Sequence, residues 1–104
     1  VMYYYYIIKI HDNRIKVGIT KNTDQRIKSY RTSDPTLSYY KIYELDIEKK
    51  DVFSLEKTIL NELKRWFACR SETIESSNIE NVEIIVDGLM EELYVEKDKY
   101  IFNK

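Results

Sequence analysis

The residues of this sequence that could do chemistry are unevenly distributed. Through Thr32 the charged side chains are Lys9, Arg14, Lys16, Lys21, Arg26, Lys28 and Arg31 against only Asp12 and Asp24, whereas glutamate predominates from Glu72 onward. The formal net charge of −1 hides this asymmetry. A basic half beside an acidic C-terminal segment predicts one face that meets phosphate and another that does not. Cys69 is the only cysteine and His11 the only histidine, which excludes an intrachain disulfide, a histidine-rich metal site and a Cys/His nucleophilic pair. Next to Trp66 and Phe67, Cys69 reads as a small buried hydrophobe. His11 reads as a solvated residue in a turn.

The elements that would position these side chains follow from periodicity. Tyr3 to Ile10 is β-branched and aromatic, as a strand buried on both faces would be; HDNR at 11–14 supplies turn chemistry, and Ile15 to Thr20 forms the second arm of a hairpin. Asn22 or Thr23 can cap a short helix whose inward face holds Ile27 and Tyr30 and which Ser33-Asp34-Pro35 ends. A third strand is expected over Leu37 to Ile47, with its inward positions at Tyr39 or Tyr40, Ile42 or Tyr43, and Leu45. In DVFSLEKTILNELKRWF the stripe Val52, Leu55, Ile59, Leu63, Trp66 and Phe67 predicts a helix that covers the sheet, with Glu56 at its rim.

After RSETIESSN, a loop with room for a short strand, Ile79, Val82, Ile85, Val86, Leu89, Met90, Leu93 and Tyr94 predict a last amphipathic helix over about 79–97, weakened by Gly88. The expected fold is therefore a single α/β (α+β) domain over residues 1–104. Its core, about 3–78, is a small three-stranded antiparallel sheet flanked by helices in the order β-β-α-β-α, with an added C-terminal helix. At 104 residues one core is all the chain can build, with no room for a separate DNA-reading domain.

YYYYIIKI, then IKVGIT, then DQRIKSY, then SLEKTIL resembles the ordered motifs of the GIY-YIG nuclease superfamily, over roughly residues 3 to 78. Tyr6 takes the last position of the first triplet, Lys16-Val17-Gly18 the place of YIG, Arg26 that of the helix arginine, and Glu56 that of the metal-binding glutamate. Tyr30 follows Arg26 by one helical turn. Tyr4 stands at the glycine position of the first triplet, and Asn78 is the candidate for the family's late asparagine. The short middle segment and the lysine at the YIG tyrosine position are similar to the compact, often phage- or virus-encoded branch of the superfamily.

This resemblance implies a metal-dependent endonuclease that hydrolyses nucleic-acid phosphodiesters, with DNA the favoured substrate. Glu56 would supply one carboxylate to Mg²⁺, with Mn²⁺ able to substitute, because Mg²⁺ takes its other ligands from water and substrate phosphate. Arg26, a permanently charged planar fork, would hold the scissile phosphate. Tyr6 would orient or deprotonate the attacking water, which requires its pKa to fall from about 10. Lys16 would favour the tyrosinate, and Tyr30 would be an auxiliary hydrogen-bonding group. Lys9, Arg14, Lys21, Lys28 and Arg31 would contact the phosphate backbone.

The alternative is a catalytically silent module of the same fold that binds nucleic acid or protein. Specificity could come from a targeting partner protein, and the last helix could instead form a homodimer interface. Lacking an eighteen-residue apolar run and a signal-peptide pattern, the chain is expected to be soluble and intracellular, in a bacterial, phage or viral cytoplasm, with no membrane partner.

Overall fold

A computed structural model describes residues 2–11 and 13–97. Asp12, a member of the expected turn, lies outside the described residues, as do the side chains of His11, Leu93 and Tyr94. Strand β1 (Met2–His11) pairs antiparallel with β2 (Arg14–Thr20) on one side and with β3 (Tyr39–Asp46) on the other. Helix α1 (Thr23–Arg31) follows β2, helix α2 (Lys49–Trp66) follows β3, and α3 (Ile79–Lys97) is the last described element. Between α2 and α3 lie two short strands, β4 (Cys69–Arg70) and β5 (Thr73–Ile74).

The sheet therefore has five strands in the order β3-β1-β2-β5-β4, all antiparallel, and three helices accompany it. This corrects the expected three-stranded sheet. Two-residue strands are too short to show alternation, and their pairing depends on a turn at Ser71, whose φ of 56° lies in the left-handed region. Fully buried Ile74 anchors the turn, and Val17 N–H donates to the carbonyl of Glu72 at 3.2 Å.

Because β1 lies inside the sheet between β3 and β2, both of its faces can be apolar. Tyr3, Tyr5 and Ile7 join the main core with Leu55, Ile59 and Leu63 of α2 and Val82, Val86 and Met90 of α3. Tyr6 and Ile8 point to the other face, where Ile27 of α1 and Leu37 close a smaller core with Tyr30 and Tyr39 at its margin. Asn22 caps α1, its side-chain oxygen accepting from Gln25 N–H at 3.0 Å. Asn78 plays the same part for α3, accepting from Asn81 N–H at 3.1 Å, which accounts for it structurally.

Two inward positions differ from expectation. Trp66 is 65 % exposed, its ring nitrogen donating to Glu62 at 3.2 Å, because α2 ends there and Phe67 takes the packing position. On β3 the buried residues are Lys41, Tyr43 and Leu45, so a lysine occupies a core-facing place. Its ammonium is matched by Glu83 and Asp87 of α3, each at 2.7 Å.

Candidate active site at the open edge of a strand

Of the residues of β2, only Ile15 and Lys16 pair with β5. Beyond the Val17 contact to Glu72, the outer edge of β2 has no strand partner among the described residues. Side chains from both faces of the sheet can converge there.

From the α1 face comes Tyr6, which pairs across the ladder with Gly18. Its ring lies on that glycine: a Cβ at position 18 would stand 2.7 Å from the Tyr6 hydroxyl and 3.0 Å from Cζ. Gly18 has no positive φ, so close approach, and not turn geometry, requires it. The Tyr6 hydroxyl meets that of Tyr30 at 2.8 Å, and the rings of Tyr30 and Tyr39 flank it at centroid distances of 6.1 and 5.5 Å. Tyr6 is fully buried, whereas Tyr30 is half-buried and Arg26 exposed. Arg26 lies one helical turn before Tyr30, close enough to feel both hydroxyls.

The expected lowering of the Tyr6 pKa is not found. Burial pushes its phenol well above the ordinary tyrosine value, the hydrogen bond to Tyr30 pushes the same way, and Arg26 opposes them. Lys16 sits with its Nζ 5.7 Å over the ring of Tyr30, not against Tyr6. The hydroxyl that faces outward is that of Tyr30, with Tyr6 holding it from beneath.

From the α2 face comes Glu56, half-buried, its carboxylate accepting a backbone hydrogen bond from Ile19 on the open edge. Burial raises its pKa and the nearby Glu72 raises it further, while Ile19 and Arg26 pull the other way. Glu56 and Glu72 line one cavity of about 300 Å³ together with Gly18, Phe53 and Asn61. Glu72 is the residue missed by sequence reasoning; a lone glutamate in an aperiodic turn carries no signal, and only the β2–β5 register brings it to Glu56.

The donor chemistry fits a hard cation. The polar lining of the cavity offers carboxylate oxygens from Glu56 and Glu72 and an amide oxygen from Asn61, beside the ammonium groups of Lys57 and Lys64, with no thiolate or imidazole. Among the described residues no cluster of three or more His, Cys, Asp or Glu could cage an ion. Such an ion would rest on one or two carboxylates and complete its shell from water and substrate.

The expected phosphate-contacting residues divide. Lys28 is exposed on α1, two residues after Arg26 and turned away from it around the helix, and Lys21 lies just after β2 with its Nζ 5.5 Å over the ring of Tyr3. Arg14 pairs with Glu75 at 3.8 Å, and Arg31 donates to the carbonyl of Leu37 at 2.7 Å, so both are engaged locally. Lys9 borders a different shallow cleft with Asp34 and Tyr39. Cys69 is partly buried against the core, its thiol pKa raised by burial and its Sγ 3.6 Å from the Phe67 carbonyl, as expected of an unreactive cysteine. No described helix is long and apolar enough to cross a membrane.

No curated protein and no solved structure is a match to this chain. Residues 2–91 match the T5orf172 domain, a span that takes in every strand and every candidate site residue. That family is associated with nuclease-type proteins. The chain thus belongs to the T5orf172 domain family, and the tyrosine, arginine and glutamate gathered at the open edge of β2 are the candidate site of a nuclease-related domain.

Proposed function

We propose that this chain is a metal-dependent endonuclease of GIY-YIG type that hydrolyses DNA phosphodiesters. One observation carries the reading: Arg26 and the Tyr6–Tyr30 pair, from one face of the sheet, and Glu56, from the other, meet around Gly18 at an unpaired strand edge. A phosphodiester at that edge would find the Arg26 guanidinium for its non-bridging oxygens. The Tyr30 hydroxyl, backed by Tyr6 and beside Lys16, would orient the attacking water. Glu56, with Glu72 across the cavity, would hold Mg²⁺ or Mn²⁺. When bound, the ion would supply Lewis-acid neutralisation of phosphoryl charge. Lys21 and Lys28 extend the cationic surface for backbone contact.

The raised pKa of Tyr6 favours one competing reading, a silent nucleic-acid-binding module, since a buried neutral phenol is a poor base. Cleavage of supercoiled plasmid and of labelled single-stranded DNA and RNA, in Mg²⁺, Mn²⁺ or EDTA, separates the two. Metal-dependent cutting lost in both Arg26→Ala and Glu56→Ala supports the nuclease; binding with no cutting under any metal supports the silent module. Residual cutting equal in wild type and both variants would mark a contaminant.

A further inference from the structure

Among the described residues Phe53 belongs to neither apolar core. It is 74 % exposed on α2, yet it borders the same cavity as Glu56 and Gly18. Lys57, Asn61 and Lys64 follow it at steps of four, four and three residues, so the four side chains form one stripe along the helix, and all four border that cavity. Leu60 and Val17 give the cavity an apolar wall, and Tyr5 lies at its buried floor. An isolated exposed phenylalanine needs no explanation. One set at the mouth of a cavity of about 300 Å³, with lysines along the same stripe and the candidate metal ligand beside it, has the makings of a stacking platform.

We propose that this cavity receives an unstacked nucleobase of the strand to be cut. The base face lies on the Phe53 ring, Asn61 meets its polar edge, and Lys57 and Lys64 hold the flanking phosphates. The inference rests on the nuclease reading and deepens it, because it assigns the substrate as single-stranded or locally melted nucleic acid. The charge pattern favours this occupant. An apolar wall suits a neutral aromatic ring, a line of cations suits a sugar-phosphate backbone, and the carboxylates of Glu56 and Glu72 would repel an anion entering without its base and counter-ion. Stacking on one aromatic side chain tolerates any base, so the site would confer strand-state selectivity with little sequence preference.

The test is equilibrium binding in EDTA, where no cutting occurs, of the full chain to a fluorescent single-stranded oligonucleotide carrying 2-aminopurine and to its duplex. The expected result is preference for the single strand and quenching of 2-aminopurine on binding. Phe53→Ala should weaken single-strand affinity by about tenfold, in line with the loss of one stacked base, and Phe53→Trp should restore it. Duplex affinity should change little in either variant. Phe53→Ala binding as tightly as wild type, while Arg26→Ala binds more weakly, would overturn the stacking site and leave the nuclease reading standing. No binding of any oligonucleotide by wild type would overturn the stacking site, and metal-dependent cleavage then decides the nuclease reading by itself. Since Phe53 is exposed, its replacement does not threaten folding, and unchanged melting temperatures would show that the affinities compare folded proteins.

Discussion

Two clusters in this molecule use similar side chains to opposite ends. On β3 and α3, Lys41 and Tyr43 face Glu83 and Asp87: the ammonium reaches both acids at 2.7 Å and the phenol donates to Asp87. At the open edge of β2, Arg26 and Lys16 stand beside Tyr6 and Tyr30, and among the described residues no carboxylate forms an ion pair with either cation. Lys41 is buried and its charge is locally neutralised, so it serves the fold by tying α3 to the sheet. Arg26 is exposed, and its charge is met by no ion pair among the described residues. Availability of a charge, more than residue type, separates a site from a staple.

The largest effect expected from breaking this contrast is on activity. Arg26→Ala should reduce cleavage by about 10²–10³-fold with melting unchanged, as removal of one transition-state donor does. Lys41→Ala should do the reverse, lowering stability by about 2–3 kcal/mol in urea denaturation through loss of charged hydrogen bonds, with the rate per folded molecule preserved. If Lys41→Ala abolished cleavage without unfolding, the division between the clusters would collapse.

A sharper probe lies within the tyrosine pair. Tyr30→Phe should cost more in cleavage rate than Tyr6→Phe, and the double variant should be no worse than Tyr30→Phe alone, since the buried hydroxyl acts through the outer one. Additive losses would show that Tyr6 reaches the water by itself. Gly18→Ala should depress cleavage and stability together, by about 1–3 kcal/mol in the latter, because the new methyl group meets the Tyr6 ring and hydroxyl.

The pH dependence comes next. Burial first, then neighbouring groups, raises the pKa of Tyr5, Tyr6 and Tyr43. A group whose pKa is raised by folding stabilises the native state fully below its unfolded value and loses that contribution as pH climbs towards the folded value. Stability should therefore fall above about pH 10, the unfolded tyrosine value, and the buried phenols should ionise in step with unfolding when absorbance near 295 nm is followed. Their ionisation well before unfolding would contradict the burial described. The smallest effect is at Gly88, where a Cβ meets nothing within 4 Å; Gly88→Ala should stabilise α3 by about 1 kcal/mol, read as a small rise in melting temperature.

How much of this could be read from the sequence depends on the range of the signal. The β1–β2 hairpin, α1 with its Asn22 cap, and the α2 stripe of Leu55, Ile59 and Leu63 are local patterns, and they lie where periodicity puts them. Tyr6, Arg26, Tyr30 and Glu56 stand out only through the resemblance of their motifs to those of the GIY-YIG superfamily, and the structure brings them to one edge. Lys41 escaped because alternation argues against a lysine facing inward, and the acids that permit it lie 42 and 46 residues away. Glu72 and the pairing of the two short strands carry no local signature, because two residues cannot display a period, although the RSETIESSN segment has room for a strand. The direction of the Tyr6 pKa is not legible in the sequence, because burial outweighs the opposing charge of Arg26 and no motif reports burial.

The unpaired stretch of β2 has one more consequence. A bare strand edge is a template on which a second polypeptide can add itself as another strand, the first step towards aggregation. Here the edge is bordered by an exposed arginine from one side and a glutamate hydrogen-bonded to its backbone from the other. These charges act as gatekeepers against an incoming strand. Variants that neutralise both should lose solubility along with any activity, so the same two charges would carry a second, protective duty at this edge.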